Sequence, residues 1–248
     1  VAALFAVLGG VAFAGLSSVG SASADVGFGP LSIDLSFFPK TLSKTVPTPA
    51  ALELSAQVET IDGSRPPALN SLVFEVDRNV EIHTKGLPRC HPSIEIPLEE
   101  ACKRSRVGGG SMGVYITFPE DAPIPTRSDL DVYYAGVKGG APTLYAVATL
   151  TVPTPAAIVS TVRLTKVRAG RYGTEAVVAF PQIAGGHGSV TSFRMRLRRH
   201  FRRSGRTVHV VTIECPDGKI LARGEGSFAD GTKAHAESIR ACLPSRRP

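Results

Sequence analysis

Alternating apolar and polar residues recur along most of this chain, and that rhythm belongs to a half-buried β-strand. Leu52, Leu54, Ala56 and Val58 alternate with Glu53, Ser55, Gln57 and Glu59. Leu72, Phe74 and Val76 alternate with Glu75 and Asp77, and Val114, Ile116 and Phe118 with Tyr115 and Thr117. Successive side chains of a strand point to opposite faces, so each run predicts one buried and one wet face. Further strands are expected over 129–135, 143–152, 157–166, 173–180, 189–199, 207–214, 219–229 and 232–240. Turn signals separate them at Asp62-Gly63, Gly108-Gly109-Gly110, Gly139-Gly140, Asp217-Gly218 and Asp230-Gly231. The only helix expected is a short one near Leu98 to Lys103. About ten short strands between Gly-rich turns predict an all-β protein, a β-sandwich of immunoglobulin-like or jelly-roll-like kind.

An internal echo suggests how those strands are grouped. Thr45-Val46-Pro47-Thr48-Pro49-Ala50-Ala51 recurs identically as Thr151-Val152-Pro153-Thr154-Pro155-Ala156-Ala157. The strands that follow keep the same parity, because Leu52, Ala56 and Val58 map onto Ile158, Val162 and Leu164. Two related β halves, 51–150 and 151–248, are therefore expected, preceded by an extended Pro-containing lead over 25–50. The competing reading is a Pro-rich linker that recurs by chance.

Residues 1–24 read as a cleavable signal peptide. No charge occurs from Val1 to Gly20, and Ser21-Ala22-Ser23-Ala24 supplies the small-residue pattern accepted by signal peptidase, with Asp25 next. The basic residue that usually precedes such a core is missing from this stretch, and an uncleaved membrane anchor is the competing expectation. Export implies a secreted or cell-envelope location and an oxidising environment. Cys90, Cys102, Cys215 and Cys242 are then expected as disulfides, with near neighbours paired: Cys90 with Cys102 and Cys215 with Cys242. Neither pair has the spacing of a zinc site, so no metal is expected.

The chain carries no nucleophile elbow, HExxH motif, phosphate loop or dinucleotide fingerprint, and no catalytic residue or cofactor is assigned. Its six histidines are scattered. His187, in Gly185-Gly186-His187-Gly188-Ser189, lies on a loop that a ligand could approach, but a plain glycine turn accounts for it equally. The acidic neighbours Glu99-Glu100 and Glu120-Asp121 define no catalytic pair, because glycosidase carboxylates are set by distance across a cleft. Gly224-Glu225-Gly226 reads as a bulged or kinked strand. The chain has no Trp, and Tyr133 and Tyr134 must point to opposite faces, which weakens a sugar-binding platform.

The strongest chemical signal is basic. Arg194, Arg196, Arg198, Arg199, Arg202, Arg203 and Arg206 fall within thirteen residues. Phe193, Met195 and Leu197 would face a core while Arg194, Arg196 and Arg198 project outward, and Arg199 to Arg206 would form a hairpin tip. Such a ladder can hold phosphate, sulfate or carboxylate groups by forked hydrogen bonds. Outside the cytoplasm its partner would be an anionic envelope polymer or another surface protein, with no specific nucleic acid expected. The competing reading is a solvated edge strand guarded by charge, and the net charge of +7 suits both.

Gly86-Leu87-Pro88-Arg89-Cys90, Pro181-Gln182-Ile183-Ala184-Gly185-Gly186, Glu214-Cys215-Pro216-Asp217-Gly218 and Phe228-Ala229-Asp230-Gly231-Thr232, ending at Cys242, resemble a group of exported β-rich proteins of high-GC Gram-positive bacteria. Turns and cysteines carry the resemblance, so it implies fold and export and transfers no site. The functional expectation is a non-enzymatic extracytoplasmic binding or structural module. An extracellular enzyme acting on an envelope polymer such as a polysaccharide is the alternative.

Overall fold

The protein is described by a computed structural model over residues 24–28, 30–60, 66–92, 97–118, 122, 124–151 and 155–245. Twelve strands make its main sheet. The first six are β1 (Ala24–Phe28), β2 (Leu31–Phe38), β3 (Ala51–Val58), β4 (Leu69–Asp77), β5 (Arg106–Ile116) and β6 (Ile124–Lys138). The others are β7 (Ala141–Leu150), β8 (Ala156–Ala169), β9 (Tyr172–Ala179), β10 (Gly188–Leu197), β11 (Lys219–Phe228) and β12 (Lys233–Ala241). Their order across the sheet is β1-β12-β11-β4-β9-β8-β7-β6-β5-β10-β3-β2. Every neighbouring pair is antiparallel.

The all-β expectation holds, and the one α-helix among the described residues, Leu98–Ala101, continues into a tight turn of helix at Lys103–Ser105. Strands of 51–150 and 151–248 interleave in this sheet: β4 lies between β11 and β9, and β10 lies between β5 and β3. The lead segment 25–50 supplies β2, whose Leu31, Ile33, Leu35 and Phe37 are buried. The proposed signal segment, up to residue 23, lies outside the described residues, as do the Asp62-Gly63 turn and Glu120-Asp121. Among the described residues no helix is long and apolar enough to cross a membrane.

One expected turn is corrected. Gly108, Gly109 and Gly110 lie inside β5. The residues are glycine because of close backbone approach: a Cβ on Gly108 would stand 1.9 Å from the Arg196 carbonyl oxygen, and one on Gly110 1.8 Å from that of Arg194.

The sheet curls until its two ends meet. β2 packs against β12 and β1, and the seam is made by side chains. The Leu35 amide donates to Ser238 Oγ at 3.2 Å in a buried setting, and Arg240 pairs with Asp34 at 2.5 Å. Small residues make the close approach possible. Gly224, Gly226, Ala234 and Ala236 form a floor for the apolar side of β2, and a Cβ on Gly224 would press on Ile33 at 2.9 Å.

One end of the barrel is covered by a three-stranded sheet of Thr48–Pro49, Val211–Ile213 and Val80–Ile82. Beside it Cys215 and Cys242 form a disulfide. Cys90 and Cys102 form the second, so both expected pairings are present. This second disulfide covers a small apolar cluster on the outside of the sheet, where Tyr133 and Val147 are buried with Tyr145 beside them. Tyr134 faces the main core instead, so neither tyrosine is exposed.

Candidate functional site

The outer face of β10 carries the arginine ladder. Phe193, Met195 and Leu197 are buried while Arg194, Arg196 and Arg198 are exposed, as period-two alternation requires. Beyond Arg199, His200–Arg203 and Arg206–His209 pair as a short hairpin. Ser204 and Gly205 make its turn with φ of 48° and 76°, the left-handed pair that suits a tight hairpin.

The ladder forms one bank of a groove of about 610 Å³. Arg196, Arg198 and Arg199 line this bank, and Lys103 and Arg106 line the opposite one. The floor is Val107 to Gly110. Register places Gly109 directly beside Arg196 and between it and Asp131 of β6. With no side chain there, the floor stays low and the cations on either bank face a common space. The groove lining counts five cations and one carboxylate, Glu53, a net charge of +4 with all groups ionised.

Three contacts hold the cations in place. Arg106 pairs with Asp131, and the Tyr133 hydroxyl donates to the same carboxylate at 3.1 Å. The Arg199 guanidinium donates to the Arg106 carbonyl oxygen at 2.5 Å. Arg194 approaches Glu53 at 3.6 Å. Arg196, Arg198, Lys103 and Arg104 have no carboxylate partner among the described residues. Burial lowers the Arg199 pKa, and the like charge of Arg104 lowers it further.

The predicted arginines therefore divide. Arg196, Arg198 and Arg199 line the groove, Arg194 stands one row further along, and Arg202, Arg203 and Arg206 lie on the hairpin outside it. Sequence reading missed Lys103, Arg104 and Arg106. Their signal is the basic run that follows Cys102, which the Cys90–Cys102 disulfide ties down beside β10.

A second outer groove, of about 620 Å³, lies on β4, β9, β11 and β12. Glu175, Glu75, Arg223 and Glu237 form a single row across those four strands. Glu225 and His235 oppose each other in a neighbouring row. Four carboxylates and one arginine line this groove, a net charge of −3 with His235 neutral. Arg223 pairs with Glu75, and Lys233 donates to Glu225 at 2.7 Å. The Lys233 hydrogen bond holds the Glu225 carboxyl below its usual range.

His187 is exposed on a turn and its ring packs on Phe118, with centroids 5.8 Å apart. Ala184, Gly185 and Gly186 take positive φ there, which is the glycine-turn reading of this segment. Among the described residues no group of three or more His, Cys, Asp or Glu could hold a metal. Comparison with family models, curated proteins and solved structures finds no match to this chain.

Proposed function

We propose that the protein is an extracytoplasmic, non-enzymatic binding module that holds an anionic polymer in the Lys103–Arg199 groove. The carrying observation is that two basic segments remote in sequence converge on one glycine floor. An edge strand guarded only by charge would not need a second basic bank, and β10 is no edge, since it is paired on both sides. Forked guanidinium hydrogen bonds to phosphate, sulfate or carboxylate supply the affinity. Among the described residues no aromatic side chain lines the groove, so base stacking has no platform there and the ligand is read through its charged backbone.

Two disulfides suit an oxidising compartment, which supports secretion through the apolar segment 1–24 and residence in the cell envelope. We read the curled sheet as a flattened barrel with two facing walls, packed in the manner of a β-sandwich. A round ring of twelve strands leaves a lumen, whereas the interior here is filled by fully buried side chains such as Leu35, Leu72 and Phe74.

The enzyme alternative draws on the glutamate groove. A glycosidase needs one carboxylic acid kept protonated near neutrality. Glu225 is shifted the opposite way by its Lys233 hydrogen bond, so it does not suit the role of that acid.

Retention on immobilised heparin tests it. Arg196→Ala with Arg198→Ala, and separately Lys103→Ala with Arg104→Ala, should each weaken binding by about 10-fold or more at fixed salt and flatten its salt dependence. Unchanged elution of both double variants would end this reading.

A further inference from the structure

The two grooves are related in a way that neither shows alone. In the twelve-strand order β11 stands six places from β5, and β4 stands six places from β10. The ends of that order meet where β2 packs on both the terminal strand β1 and its neighbour β12. Six places are then about half the circumference, so the glutamate groove and the arginine groove face away from each other on opposite walls. Their volumes match, at about 620 and about 610 Å³, and their lining charges of −3 and +4 are opposite in sign.

Each wall also carries repulsion that the isolated chain relieves only in part. Glu75 and Glu175 sit directly opposite each other on neighbouring strands, an arrangement that destabilises a sheet. Arg223 pairs with Glu75 and, from the position directly opposite, also attracts Glu237, while Glu175 has no ion-pair partner among the described residues. On the other wall Arg196, Arg198, Lys103 and Arg104 are in the same position. An edge-protecting role does not explain the acidic row, because β4, β9 and β11 are all interior strands.

We propose that the chain associates with itself, the arginine groove of one copy seating on the glutamate groove of the next. Burying Arg196 and Arg198 against Glu175 and Glu237 removes like-charge repulsion on both walls at once. Such a contact is head-to-tail, joining different surfaces of the two copies. Because the surfaces point in opposite directions, it does not close on two copies and propagates as an open row. The interface is polar, so association is expected to be weak, fast and sensitive to salt. An anionic polymer in the arginine groove would compete with it.

Sedimentation velocity decides the matter. The wild-type chain should show a weight-average mass that rises with concentration at about 50 mM salt and falls to one chain at about 500 mM, where screening shortens the reach of these charges. Glu175→Lys with Glu237→Lys should stay at one chain at low salt, and so should Arg196→Glu with Arg198→Glu. Mixing the two variants should restore association, since each then offers the wall that the other lacks. Circular dichroism checks that both are folded. A wild-type chain that stays single at low salt, or a mixture that fails to associate, overturns the proposal. Heparin binding separates it from the polymer reading: the glutamate variant should keep full retention, and heparin should disperse the wild-type rows. Loss of heparin binding with association intact would sink the polymer reading alone.

Discussion

Gly110 shows how one residue type can be dictated from across a sheet. Alanine there must displace the Arg194 carbonyl from its position 1.8 Å from the new Cβ. Gly110→Ala is expected to cost more than about 2 kcal/mol, read as a lower urea midpoint at unchanged slope. Gly139 makes the contrast: its φ is 54° but nothing crowds it, so alanine should cost about 1 kcal/mol. A different constraint acts at Asp77, which is fully buried. Its carboxylate accepts from Arg171 Nε at 2.7 Å, the Leu221 amide at 3.3 Å and the Asn79 amide at 3.0 Å. The same guanidinium clamps Asp217, donating at 2.5 and 3.1 Å. Arg171→Ala strands a buried charge and should cost about 3–5 kcal/mol. The Arg171 hydrogen bond lowers the Asp217 pKa in the folded state. The stability it contributes is therefore full above the ordinary carboxylate pKa and lost as pH falls through the lower folded value. Acid titrations of wild type and Asp217→Asn should converge at low pH; curves that stay parallel would refute the assignment.

The elements around the groove are held by covalent and polar supports together. Cys90–Cys102 closes the segment that delivers Lys103, Arg104 and Arg106, while Cys215–Cys242 closes the β11–β12 hairpin far from it in the sheet order. Loop-closure entropy gives the two about 3 and about 3.5 kcal/mol respectively. Their effects on binding should differ: replacing Cys90 and Cys102 by serine should lower heparin retention, whereas replacing Cys215 and Cys242 should leave it near wild type. Equal losses would mean that the disulfide does not position the second bank. Beneath Cys90–Cys102, burial pushes the Tyr133 hydroxyl up to about 12, and the negative charge of Asp131 adds to it. Its phenolate should emerge in an ultraviolet titration only at that alkalinity, and earlier in the Cys90→Ser, Cys102→Ser variant as the cover opens. At this scale most strands were legible, since alternation at 52–58, 72–76 and 193–197 reports burial directly. β2 carries the same alternation at Leu31, Ile33, Leu35 and Phe37, and the nearby prolines masked it. Gly108 to Gly110 misled in the other direction, because a glycine needed for close packing and a glycine needed for a turn look identical in sequence.

Across the whole molecule, closure is the decision that creates the two opposed walls. β2 reaches β12 because glycine and alanine leave room beneath it, and the seam is fastened by Ser238 and Arg240. The all-β class, the outward arginines of β10 and the pairing of the four cysteines follow from local sequence. Side-chain parity along a strand and the ease of closing short loops are properties of the chain near each residue. Which strands become neighbours is not such a property. The meeting of Lys103 and Arg106 with Arg196, Arg198 and Arg199, and the row of Glu175, Glu75, Arg223 and Glu237, depend on pairings between strands remote in sequence. Those pairings are chosen by the fit of the whole core, so only the tertiary structure decided where the charges gather.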